Sequence, residues 1–155
     1  MGYNLTIGNG EPSFSKDYGE LSARWEVEIV EHTTAPDFAD DPTGQTNMRS
    51  PSYSAWSGFC DAVGLRALFY GDQSDDGWLT RHPGCALIER EHVEQIAGAL
   101  KTYRAKWPGL TPGFSEAQNP TADSLAASYL ARLIWLDYWV RWAFASCETP
   151  AIENS

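Results

Sequence analysis

Residues 133–144 read LIWLDYWVRWAF, three tryptophans, a tyrosine and a phenylalanine around Asp137 and Arg141. Wound as a helix, the run places Leu133, Leu136, Val140 and Ala143 on one face and Trp135, Trp139 and Trp142 on a second. Few positions remain to face water. A helix apolar on nearly every side is either a membrane span or the buried centre of a domain. A span needs about 20 mostly apolar residues, and residues 125–147 carry Arg132, Asp137 and Arg141 near their middle. Each charge costs roughly 2.5 to 3.5 kcal/mol at the centre of a span, against about 0.3 to 0.6 gained per Leu, Ile, Phe or Val. The charges outweigh the gain, so the spacing predicts a buried central helix over about 122–147, capped by Thr121 or Asp123. Asp137 and Arg141, four apart, can pair and offset their own burial.

Such a helix needs cover on all sides, and the 155-residue chain has the length to supply it within one domain. Tyr3, Leu5 and Ile7 alternate with Asn4 and Thr6, a half-buried strand, and Asn9-Gly10 predicts a turn after it. ARWEVEIVEH repeats the alternation with Trp25, Val27 and Ile29 inward. Residues 33–51 hold three prolines and three aspartates without an apolar period, and predict a long loop. Trp56, Phe59, Cys60 and Val63 then fall at helical spacing behind Ser52 or Ser54, with Gly64 to stop the helix. LRALFYG reads as a short strand, and DQSDDGWLTRHPGC as turn and loop. Val93, Ile96, Ala97, Leu100, Tyr103 and Trp107 stripe a helix over about 89–107, acidic at its start and basic at its end, in keeping with the helix dipole. The expected fold is α+β: a small antiparallel sheet from the N-terminal third packed with about three helices, the C-terminal one long and largely buried.

The charge is uneven. Residues 1–76 hold 13 acidic and 4 basic side chains, net -9, and residues 77–155 hold 8 and 7, net -1, which together give the formal -10. An acidic field without a basic stripe argues against direct nucleic-acid binding and leaves basic proteins, or small ligands in a locally basic pocket, as partners. Asp37, Asp40 and Asp41 in the long loop are the candidate partner-binding residues. Three dispersed cysteines suggest no disulfide framework, and MGYNLTIGNG has no secretory pattern, so a reduced, cytoplasmic setting is expected, with no membrane partner. One exposed aromatic face among seven tryptophans would permit a homodimer.

Three constellations bear on chemistry. Arg49, Tyr53 and Trp56, with Arg132, Trp139 and Arg141, and Tyr138 beside them, are of the types that clamp a nucleotide-like ligand: arginine forks for phosphate, aromatic faces for a base. The same residues serve equally as core aromatics with paired arginines. His82 and Cys85 in RHPGC offer a thiolate with a histidine partner, as in a small hydrolase or transferase, or else a turn with a structural histidine. Asp72, Ser74, Asp76, Gly77 and Thr80 match positions of a calcium loop, but Pro83 stands where the bidentate glutamate belongs, and an acidic turn is the simpler reading. His32, His82 and His92 have no ligand spacing, so no metal and no cofactor are expected.

MGYNLTIGNGE, RSPSYSAWSGFCDAVGL, RHPGCALIEREHVEQI and WVRWAFASCETPAIENS, in that order over most of the chain, resemble a family of small proteins of tailed bacteriophages and prophages to which no activity is attached. The resemblance implies a viral protein made in the bacterial cytoplasm. It implies an accessory protein, of host-takeover or anti-defence type, that acts by binding a host protein, with no catalytic residue to carry over.

Overall fold

The computed structural model describes residues 1–17, 20–37, 45–113 and 121–155, the side chains of 15–17 and 20–23 excepted. Five strands and four helices make an α+β fold with a small antiparallel sheet: β1 (Leu5–Asp17), β2 (Glu20–Val27), β3 (Met48–Arg49), α1 (Tyr53–Val63), α2 (Arg66–Tyr70), β4 (Gly84–Leu87), α3 (Arg90–Lys106), α4 (Ala122–Ser146) and β5 (Pro150–Asn154). The strand order is β2-β1-β5-β4, with β3 also paired to β1.

α4 begins at the Thr121 cap, whose hydroxyl accepts the Ser124 N–H at 3.1 Å, and runs 25 residues through the middle of the molecule. It packs on β1 and β5 on one side and on α1 and α3 on the other. That placement explains the sequence: Leu133, Leu136, Trp135, Trp139, Val140 and Ala143 are all buried, because each side of the helix has a neighbour. Asp137 is buried, and its carboxylate lies 2.9 Å from Arg141 Nη2, the guanidinium reaching outward to solvent. No helix among the described residues is long and apolar enough to cross a membrane.

Several local expectations are corrected. The Asn9-Gly10 pair does not turn the chain. β1 continues through it, pairing with β5 over residues 5–9 and with β2 over residues 10–17. Glycine is needed there for close approach, since a Cβ on Gly10 would sit 2.9 Å from the Trp25 Cβ and 3.1 Å from the Ala151 Cβ. Ile29 lies beyond the end of β2 and is exposed, Val27 is buried, and Trp25 is only partly buried, lining a surface cleft with Phe14 and Cys85. LRALFYG is not a strand but the short helix α2, which stacks Phe69 edge-on against Trp56. The sheet does not come from the N-terminal third alone: β4 and β5 supply one edge and an interior strand.

The end of the long loop is built in as well. Asn47, fully buried, fills the gap between β2 and β3 along one edge of β1. Its Nδ2 donates to the carbonyls of Ile7 and Glu28, each at 2.8 Å, and its Oδ1 accepts the Val30 N–H at 2.8 Å. One carboxamide thereby satisfies three backbone groups that the sheet leaves unpaired.

Candidate functional site

The six residues expected to clamp a ligand are mostly interior. Trp56 and Trp139 are completely buried. Trp56 packs against Phe59 and Phe69, and Trp139 against His32, Tyr138 and Trp142. Arg49, also buried, lays its guanidinium over Trp135 at 5.5 Å from the ring centroid. Arg132 donates to the Ala55 carbonyl at 3.2 Å and so ties α4 to α1. Arg141 is paired with Asp137 at the surface. These contacts are those of packing, and the clefts described below are lined by other side chains.

Tyr53 takes part in a different arrangement. Its hydroxyl lies 3.0 Å from His82 Nε2, and His82 Nδ1 lies 2.6 Å from Asn154 Oδ1. Asn154 is buried, and its Nδ2 donates to the carbonyls of Arg81 at 3.1 Å and Trp78 at 3.4 Å. With the amide nitrogen turned to two carbonyls, Oδ1 must accept, so His82 carries its proton on Nδ1 and its Nε2 accepts from Tyr53. The chain of bonds joins α1, the loop before β4 and the C-terminal strand. Tyr3 stacks edge-on against both rings.

His82 and Cys85 do not meet. Cross-strand neighbours share a face of a sheet, and successive residues alternate between faces. Cys85 lies opposite Glu153, and His82 bonds the next residue, Asn154, on the other face. The Cys85 thiol instead accepts the Trp25 N–H at 3.2 Å. Of the remaining cysteines, burial pushes the Cys60 thiol up to about 12, and burial also raises that of Cys147. No thiol is paired with a base that would activate it among the described residues.

The acidic turn after α2 is organised by its own backbone. Asp72 Oδ1 accepts the N–H groups of Ser74 and Asp75 and the Ser74 hydroxyl, bonds that hold its carboxyl below the usual carboxylate range. Beside this turn lies a cleft of about 460 Å³ bordered by Asp72, Asp75, Asp76 and Glu91, with Trp78 and His92 in its wall. A second cleft of about 350 Å³ shares Asp76, Trp78 and His92 and extends along β4. His92 closes the start of α3: its Nδ1 accepts the Glu89 N–H at 2.9 Å and its ring stacks edge-on against Trp78. Desolvation lowers its pKa, keeping the accepting form of the ring. Neither Trp78 nor His92 stood out from the sequence, although a polar residue three positions after Glu89 is the spacing of a helix-capping box.

The distribution of charge is more one-sided than the composition. Among the described residues, Glu11, Glu26, Glu28, Glu31 and Asp37 of the N-terminal half are all exposed, as are Asp72, Asp75 and Asp76. Of the basic residues of that half, Arg24 is mostly buried and bonded to Glu153 at 3.3 Å, Arg49 is in the core, and Arg66, though exposed, is paired with Asp61; the side chain of Lys16 lies outside those described. Asp37 is exposed, as expected, while Asp40 and Asp41 lie outside the described residues. Comparison of the chain with protein-family models, with curated proteins and with solved structures found no match.

Proposed function

We propose that the protein is a non-enzymatic accessory factor that binds a basic host protein through its acidic surface, in the bacterial cytoplasm that its resemblance to phage proteins implies. The observation that carries this reading is the exposure of the acidic side chains on a surface from which Arg24 and Arg49 are withdrawn and on which Arg66 is neutralised by Asp61. The resulting field attracts basic partners and repels phosphate backbones. The burial of Arg49, Trp56 and Trp139 among core contacts favours this reading over a nucleotide pocket built from them.

The test is retention of basic bacterial proteins on the immobilised chain at two ionic strengths. The Debye length falls from about 10 Å at 0.1 M to about 3 Å at 1 M salt. Binding at the lower salt and release at the higher is the expected result. Equal retention at both would overturn the reading.

A further inference from the structure

The two edges of the sheet are finished differently. At β2, the outward N–H groups of Trp25 and Val27 are taken by the Cys85 thiol and, at 3.0 Å, by Glu153 Oε2. At Trp25 and Val27 that edge is capped by side chains, which obstructs the addition of another strand there. At β4, the Ile88 N–H bonds the Pro150 carbonyl at 2.8 Å, which marks 88 and 150 as a hydrogen-bonded pair. In an antiparallel ladder such pairs alternate, so Gly84, Ala86 and Ile88 turn their backbone groups toward β5, and Cys85 and Leu87 turn theirs outward. Among the described residues no strand pairs with that side of β4. The side chain of Leu87 is exposed there, and the cleft of about 350 Å³ runs alongside.

The charge around this edge selects the occupant. Asp76 and Glu89 border the cleft beside β4, and Asp72, Asp75 and Glu91 border its continuation past Trp78 and His92. Among the described residues Arg81 is the single cation lining the two. A second copy of a chain carrying a net charge of -10 is a poor fit. An extended segment bearing lysine or arginine is a good one. We infer that β4 receives a strand from the basic partner, the backbone groups of Cys85 and Leu87 pairing with it while its cationic side chains enter the acidic clefts. The inference rests on the proposed binding of a basic protein and specifies how that protein is held.

The probe is a short peptide of alternating lysine and valine, titrated into the full chain labelled with ¹⁵N, beside a twin N-methylated on the edge that would pair. The expected result is slowed hydrogen exchange at the Cys85 and Leu87 amides on binding, and affinity weakened about tenfold in the twin, the worth of one to two lost hydrogen bonds. Leu87→Pro, which removes an outward N–H and spares the β5 ladder, should weaken the unmethylated peptide similarly. Equal, salt-sensitive binding of both peptides without change at Cys85 or Leu87 would leave the acidic surface as the binding element and overturn strand addition. No binding of either peptide would overturn the basic partner and strand addition together. Protection of the two amides in the free protein would show the edge already occupied, by the chain itself if independent of concentration or by a second copy if not, and would also overturn the inference.

Discussion

His82 Nδ1 lies 2.6 Å from the Oδ1 of buried Asn154, and the orientation of the asparagine selects the tautomer of the neutral imidazole. Because Asn154 Nδ2 faces the carbonyls of Trp78 and Arg81, its oxygen is left to accept from His82. Asn154→Ala strands those two carbonyls and the imidazole N–H. A loss of about 1 to 3 kcal/mol in unfolding free energy is expected, read from urea denaturation. In the wild-type protein ¹⁵N spectra of the neutral imidazole should show the Nδ1–H tautomer; a predominant Nε2–H tautomer would contradict the geometry.

Asn47 holds a comparable position between strands. Asn47→Ala leaves the carbonyls of Ile7 and Glu28 and the N–H of Val30 without their partner. The substitution should cost about 2 kcal/mol or more, which in a domain of this size lowers the thermal midpoint by about 4 °C or more. Asn47→Asp should be no better, since a carboxylate has no N–H to give Ile7 and Glu28.

His92 should make the start of α3 sensitive to acid. Its pKa is lowered from 6.5 by desolvation, so its contribution is present above that value, where folded and unfolded states are both neutral. As pH falls below 6.5 the unfolded chain binds the proton first, and stability is lost as pH falls toward the depressed folded value. Protonation also removes the acceptor for the Glu89 N–H. His92→Gln keeps an acceptor at that position and should flatten the profile between pH 7 and 5, measured by thermal melts. An unchanged slope in the variant would contradict the assignment.

Cys60 acts at the other end of the pH scale. Its thiol is raised from 9.0 to about 12, chiefly by burial. Above pH 9 the unfolded chain releases the proton and the folded one retains it, so stability falls as pH rises from 9 toward 12. Cys60→Ala should lower stability at neutral pH by opening a small cavity, yet reduce the alkaline slope. At pH 8 a thiol reagent should leave Cys60 unmodified until denaturant is added, as followed by mass spectrometry.

The acidic surface was only partly legible before the fold was known. Charge counting locates the acidity in residues 1–76, but Arg24 and Arg49 count there as surface cations until the structure shows them bonded to Glu153 and stacked on Trp135. Arg132, Trp56 and Trp139 have the chemistry of a ligand site and the environment of a core, a distinction that residue type alone does not carry. Trp78 and His92 meet in space across a loop and a helix start, so no local pattern announces their cleft.

What the sequence by itself determined are the features that follow from short-range periodicity and capping. Ser52 and Gly64 bound α1, the stripe from Val93 to Trp107 marks α3, and the apolar run at 133–144 requires a helix covered on all sides. Tertiary structure decided the rest. β4 has four residues and β5 five, too few for alternation to register, and each is a strand because its neighbours complete its hydrogen bonds. Asn9-Gly10 has the composition of a turn, but Trp25 and Ala151 close around the glycine and hold the chain extended from β5 to β2. Pairing between distant segments is a long-range choice, and it is this choice that buries Arg49 and most of Arg24, leaves most of the described acids of the N-terminal half outside and exposes one edge of the sheet.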